Sequence, residues 1–345
     1  MEEPAVAPKP SPVSPVSPVA AVSPLSLLRL VALALVRLGV LVGLLSVVSL
    51  LPWHPLPLLE HFRLQLLAGC TAVALGAALL RQGGWFDVAA LCALLDLLLI
   101  TPGLSGRAPA GPRDGVKVRL LLANVHTANR DHAAVARMIE ELSPDIVALV
   151  EPDDTWFEAL RPALASYPAR REVPHTGNFG IALYARGEMK ISVEHLGSSL
   201  PTLVAQVTLA APSQAAPLSI VLTHPIPPMS RETAASHARQ LEAIAARLTS
   251  LPEPRILAGD LNATPWSRPF ARLQRATGLH DSRAGFGLHA SFPSEGGVMS
   301  LLRIPIDHVL LSPSIGVLER RLERPIGSDH LPVLVDLLVP RRAQP

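Results

Sequence analysis

Between Leu30 and Ile100 the chain carries three apolar runs in close succession, and no other feature narrows its possible folds so much. The first extends from about Leu30 to Leu51, with Arg37 near its start. The second is LQLLAGCTAVALGAALL, Leu64 to Leu80, and the third is WFDVAALCALLDLLLI, Trp85 to Ile100. A helix that spans a bilayer needs roughly 20 apolar residues and tolerates about 17, so the later two runs sit near the lower limit. Helices buried in a soluble domain are the alternative, but three such runs have no polar face to turn toward water. Composition agrees, with 49% hydrophobic and 17% charged residues and a mean hydropathy of +0.35.

Trp53 and Trp85 fit an interfacial aromatic belt, and Arg29, Arg63 and Arg81 bracket the runs as anchors. The expected partner of residues 26–100 is therefore the lipid bilayer, as a multi-pass region of a cell membrane. Asp96 is expected to face a neighbouring helix or the interface; a functional intramembrane acid is the other reading. Arg29 and Arg37 favour a cytoplasmic N-terminus, and three spans then put the remainder of the chain outside the cytoplasm. Arg107, Arg113, Lys117 and Arg119 follow the third run and argue the other way, so the positive-inside rule leaves the side open.

Residues 1–25 repeat Ser-Pro and Pro-Val and read as a disordered, partly extended tail without the layout of a signal peptide. Residues 101–116, TPGLSGRAPAGPRDGV, read as a linker. Cys70 and Cys92 both fall in apolar runs, so neither a disulfide framework nor a zinc-ligand spacing exists. A net charge of +2 excludes a surface built to coat nucleic acid.

From residue 117 to 340 strand and helix patterns alternate. VKVRLLLANV, DIVALVEP, GIALYAR, TLVAQVTLA, LSIVLTH, RILAGDLN, IDHVLLS and LPVLVDLLV read as strands. RDHAAVARMIEEL and RETAASHARQLEAIAARL read as helices. Several strands are apolar without interruption, which requires cover on both faces: stacked sheets with helices outside.

Polar groups recur at the ends of these strands. Asn124, Glu151, His224, Asp260 and Asn262 close strands; Asp307 opens one, and Asp329 and His330 precede one. Each alone has an ordinary role, in a turn, a solvated helix start or a backbone contact, but the ordered set is hard to obtain by chance. Strand ends that converge on one rim hold chemistry on a rigid sheet. A cluster of carboxylates, amides and imidazole without thiolate suits Mg²⁺ or Mn²⁺ better than zinc.

With ANV, VEP, THP, GDLNATP, IDHV and GSDHLPV in this order, the segment from about Lys117 to Val339 resembles the endonuclease/exonuclease/phosphatase (DNase I-like) superfamily. GDLN and SDH are the specific motifs. Three spans ahead of such a domain resemble bacterial membrane-anchored members, including teicoplanin-resistance-type phosphatases that act on undecaprenyl pyrophosphate. The resemblance implies an α+β fold, a four-layer α/β/β/α sandwich, that hydrolyses phosphate esters with a divalent cation. It implies Glu151, helped by Asp329 and Asn124, as metal ligands, and Asp260 as the group that orients or deprotonates water. Asn262 and His224 would bind the phosphoryl group, and His330, held by Asp307, would stabilise developing charge.

The expected substrate is a phosphorylated small molecule or lipid, with a membrane-tethered nuclease on DNA or RNA as the alternative. Tyr184, where abasic-site nucleases place a tyrosine, falls in a strand and reads as core. His289, in HASFPSEGG, is a candidate substrate contact; Arg231 and Arg239 could reach an anionic head group, but solvated helix charge is the better reading of them.

Overall fold

The computed structural model of the chain describes residues 23–51, 53–104, 106, 110–175 and 177–342. The Pro-rich tail therefore lies outside the described residues except for its last three, and Pro24 and Leu25 already belong to a helix capped by the Ser23 hydroxyl. Helices α1 (Pro24–Gly43), α2 (Leu45–Val48), α3 (Arg63–Leu79) and α4 (Gly83–Leu104) precede the first strand, with a 3-10 turn at Leu56–Phe62. Three stretches, Pro24–Val48, Leu56–Leu79 and Gly83–Leu104, are long and apolar enough to cross a membrane. The third passes Ile100 with Pro102 inside it, four residues further than the apolar run suggests. The helix thus takes in the first four residues of the expected linker.

α1 and α3 pack antiparallel at glycines: a Cβ on Gly39 would meet Val73, and one on Gly43 would meet Cys70. Arg63, expected as an interfacial anchor, is instead buried. Its guanidinium donates to Asp96 Oδ1 (3.0 Å) and Ser49 Oγ (2.9 Å), and Ser46 Oγ donates to Asp96 Oδ2 (2.6 Å). An opposite charge on the adjacent helix draws Arg63 inward, because either ion alone in an apolar bundle would be far costlier.

The rest of the chain forms two six-stranded sheets. One runs β11 (Gly316–Leu322), β12 (Val333–Val339), β1 (Val116–Asn124), β2 (Ile146–Val150), β4 (Ile181–Ala185), β3 (Ala169–Val173). The other runs β5 (Gly187–Glu194), β6 (Thr202–Leu209), β7 (Leu218–Thr223), β8 (Arg255–Asp260), β10 (Asp307–Leu311), β9 (His280–Asp281). Leu120 and Leu122 point between the sheets with Ile220, Ile256 and Val309, while Leu121 and Ala123 point outward, as the two-residue period of a strand requires. Outside the first sheet lie α5 (His132–Leu142) and α6 (Asp154–Leu160), through Met138, Ile139 and Trp156. Outside the second lie α7 (Arg231–Thr249) and α8 (Arg268–Thr277), through Ile244, Leu248 and Phe270. The result is a four-layer α/β/β/α sandwich.

Topology then determines where chemistry can sit. β1 and β2 pair parallel, as do β7 and β8, so each pair delivers its C-terminal ends to one edge. β10 runs antiparallel to β8 with Asp307 opposite Asp260, so the start of one strand meets the end of the other.

Candidate active site

β1 ends on Asn124, whose amide donates to Glu151 Oε1 at 2.8 Å and approaches Asp260 Oδ2 at 3.3 Å across the sandwich. Glu151 follows β2 with φ of 63°, a left-handed turn that lifts its carboxylate out of the strand direction. Asp260 ends β8; its Oδ1 accepts from the Asn262 backbone at 2.9 Å, and the Asn262 amide donates to the Pro225 carbonyl at 3.0 Å. Gly259 makes this possible. It has φ of 149°, and a Cβ there would collide with the Thr223 carbonyl oxygen of the neighbouring strand.

His224 Nε2 lies 3.5 Å from Asp260 Oδ2 and 3.9 Å from Glu151 Oε1. His330 lies between two carboxylates, with Nδ1 2.7 Å from Asp307 Oδ2 and Nε2 3.6 Å from Asp260 Oδ2. Ligand atoms of Glu151, His224 and Asp260 fall within 4.8 Å of one another, and so do those of Asp260, Asp307 and His330. Asp329 stands outside both groups, partly exposed, with Oδ1 3.5 Å from His126 Nδ1. The structure thus brings six of the eight expected residues into one buried cluster, with Asn262 half-buried at its side and Asp329 at its mouth.

Burial and charge shape these groups. Burial raises Glu151 above the ordinary carboxylate range, against the pull of the Asn124 hydrogen bond and the His330 charge. Burial also pushes Asp260 up to about 7, with Asp307 and Glu151 adding to it and His330 opposing. Burial disfavours the His330 cation, but Asp307 and Asp260 outweigh it and carry the imidazole up to about 10. The reciprocal effect holds Asp307 low: burial would raise it, while the His330 charge and the hydrogen bonds from His330 and Ser291 win. His224 is driven down to about 3, by burial first and then by the His330 charge, and is therefore neutral.

The donor set fits a divalent cation. Glu151 Oε2 is buried without a hydrogen-bond partner. Among the described residues, the ion-pair partners of Glu151, Asp260, Asp307 and Asp329 are imidazoles, never Lys or Arg. One imidazolium facing three buried carboxylates leaves negative charge uncompensated, and hard oxygen donors around it match a small divalent ion.

Several contributors escaped the sequence reading. Ser291 Oγ donates to Asp307 Oδ2 at 2.6 Å, and the Phe292 ring lies 4.8 Å from the His330 ring. HASFPSEGG does reach the site, through Ser291 and Phe292; His289 instead accepts from Arg320 at 2.7 Å. Thr127 donates to the Glu151 carbonyl, and Phe179 covers His224 at 5.2 Å. Thr127 and His126 stand beside ANV, which is the one signal that could have pointed to them. Tyr184 is core, its hydroxyl bonded to Glu172.

The sequence model of the Endonuclease/Exonuclease/phosphatase family matches residues 121–330. The chain belongs to that family. Members of the endonuclease/exonuclease/phosphatase family are divalent-metal-dependent hydrolases of phosphoester bonds, and all of the clustered residues fall within the matched segment. Solved structures share the fold. D. rerio TDP2 complexed with single strand DNA product is 20% identical, over 64% of this chain and 98% of that one, with a TM-score of 0.52. An endonuclease/exonuclease/phosphatase from Bacteroides vulgatus is 18% identical, over 65% and 100%, with a TM-score of 0.53. A protein from Enterococcus faecalis V583 is 14% identical, over 64% and 100%, at 0.51. No curated protein matches the chain.

Proposed function

We propose that the protein is a membrane-anchored, Mg²⁺-dependent phosphohydrolase that acts on lipid-linked phosphate or pyrophosphate. One observation carries the reading: the loops that build the site rest on the segment joining α2 to α3. His54 bonds the Pro228 carbonyl in the loop after His224, and His61 bonds Thr264 Oγ1 just past Asn262. Trp266 Nε1 donates to the Glu60 carbonyl at 2.7 Å, and Gln65, at the start of α3, donates to the Leu301 and Arg303 carbonyls. A catalytic rim attached to membrane helices at these points is positioned for a substrate whose reactive group sits at the bilayer surface.

Asn124 and Glu151 would hold Mg²⁺, with Asp329 able to join from the mouth; Mn²⁺ satisfies the same donors. When bound, the ion neutralises phosphate charge and polarises a P–O bond. Asp260, near 7, is poised to take a proton from the attacking water. Neutral His224 and the second amide hydrogen of Asn262 would donate to phosphoryl oxygens. His330, kept cationic by Asp307, would balance charge that builds on them.

Arg29 begins α1 and Arg81 lies in the α3–α4 turn. The antiparallel pairing of Gly39 with Val73 and Gly43 with Cys70 puts both at the end of the bundle remote from the sandwich. Positive charge at that end supports a cytoplasmic α1 start and an extracytoplasmic catalytic domain, against the opposing charge of Arg107, Arg113, Lys117 and Arg119 after α4. The test is phosphate release from a polyprenyl pyrophosphate in vesicles with Mg²⁺, with and without EDTA. EDTA-sensitive release is expected. Cleavage of plasmid DNA without release from any prenyl phosphate would replace this reading with the nuclease one.

A further inference from the structure

Exposed apolar side chains in the catalytic domain concentrate in one short turn. In the 3-10 turn Gly297–Leu302, Val298 and Leu301 are 79% and 71% exposed, and Met299 and Leu302 are also open. An isolated exposed Leu needs no explanation, but four in six residues on a loop tip do.

The tip is placed at the membrane by its own backbone. The Leu301 and Arg303 carbonyls accept from Gln65, in the first turn of α3. From Gln65 to its end at Leu79, α3 rises only about 21 Å at about 1.5 Å per residue, against a hydrocarbon thickness of about 30 Å. With Arg81 at the remote headgroup boundary, the level of Gln65 falls several ångströms inside the near boundary. The turn bonded to it shares that depth, where Val, Met and Leu side chains gain by leaving water.

The stem is rigid and connects to the chemistry. Arg303 donates to the carbonyls of Pro293, Ser294 and Glu295, and Phe292 bridges Ile304, which closes the loop at its base. Ser291 and Phe292 at that base touch Asp307 and His330, and Ser294 N donates to the Asp329 carbonyl at 2.7 Å. One strut thus joins the apolar tip to the catalytic imidazole.

We propose that the Gly297–Leu302 turn is a bilayer-inserting foot that seats the catalytic rim in the leaflet, so that an amphiphile's phosphorylated head reaches the site while its chains remain in lipid. This rests on the membrane-anchored reading above. The full chain in phosphatidylethanolamine–phosphatidylglycerol vesicles tests it in two arms. Leu301→Trp adds an indole, read as the difference from the parent protein; bromolipid should quench it by more than half, with little quenching by aqueous iodide. Val298→Asp with Leu301→Asp should lower turnover of vesicle-embedded prenyl pyrophosphate at least tenfold, with kcat/KM on a water-soluble aryl phosphate ester within twofold of parent. An indole quenched by iodide and not by bromolipid overturns the proposal, as do parental rates on the embedded substrate in the double variant. Failure of the parent to hydrolyse either substrate would sink the functional reading, while the quenching arm would still decide insertion.

Discussion

Replacing Asp307 by Asn removes one charge and keeps the size of the side chain. Asp307 Oδ2 holds His330 Nδ1 at 2.7 Å, both groups are nearly inaccessible to water, and Asp307 is the leading reason that His330 titrates near 10. At an effective dielectric constant of about 20, unit charges about 4 Å apart attract by about 4 kcal/mol, or about three pKa units. Asp260 retains part of the stabilisation, so the His330 pKa should fall by about two units or more in Asp307→Asn. The sign follows from the role assigned to the cation: activity that needs imidazolium disappears as pH rises, and the variant loses it at lower pH. At pH 8 the titration accounts for about a twofold loss if the pKa falls by two units and about tenfold if it falls by three, and lost orientation of the ring adds up to about 10⁴-fold, the effect of Asp→Asn beside another catalytic imidazole. At pH 6 only the orientational part should remain. Initial rates on a soluble aryl phosphate ester from pH 5.5 to 10 give the profile, and thermal unfolding controls for folding. Ser291→Ala, which deletes the second hydrogen bond to Asp307 Oδ2 and a long one from the Asp307 backbone N–H but leaves the charge, should move the limb by less than one unit. An alkaline limb in Asp307→Asn that coincides with the parent's, at rates within threefold, would refute the assignment of His330.

Added Mg²⁺ should raise the unfolding temperature of the parent protein and leave Glu151→Gln unmoved, since a ligand that binds only the folded state stabilises it; equal shifts would remove Glu151 from the metal site. Gly259→Ala should destabilise by about 3 kcal/mol, because it combines a forbidden φ with a clash against Thr223, and denaturant titration would read the loss. Asp336 is buried and accepts from Arg119 (2.7 and 2.9 Å) and Lys117 (2.6 Å), both of which reach water, so Asp336→Ala should cost about 1–2 kcal/mol at pH 7. Its pKa is held below the ordinary value, with burial opposing and Arg119 prevailing, so its contribution is present above about pH 4 and lost as pH falls through the depressed value; the gap between parent and variant should narrow as pH falls below about 4. In the bundle, Arg63→Met or Asp96→Leu alone should lower the unfolding temperature by several degrees, and the double variant should recover most of it; additive losses would show that the two do not act as a pair.

The strands that pattern reading found and missed divide by position in the sheet. Each uninterrupted apolar run, such as LLLA in β1 or IVALV in β2, lies inside a sheet and is covered on both faces. The four strands without a clear signal, β3, β5, β9 and β11, are the four edges. ARREV and GVLERRL meet water along one side, carry Arg and Glu there, and look like loops to any rule based on hydrophobicity. The short α6 escaped for a related reason, since Trp156, Phe157 and Leu160 are too few to show a helical period.

The sequence by itself determined that three helices are apolar enough for lipid, that stacked sheets with helices outside follow, and that Asn124, Glu151, His224, Asp260, Asn262, Asp307, Asp329 and His330 stand at strand ends as candidate site residues, because burial on both faces and polar groups at strand ends are local properties of the chain. Tertiary structure alone decided that Asp307 lies opposite Asp260 across an antiparallel pair, that His330 sits between them while Asp329 faces outward, that Arg63 turns inward to Asp96, and that the rim rests on the segment joining α2 to α3. Those facts join residues from 23 to more than 200 positions apart, and only strand register, crossover and docking bring such residues within the few ångströms over which charges and hydrogen bonds act.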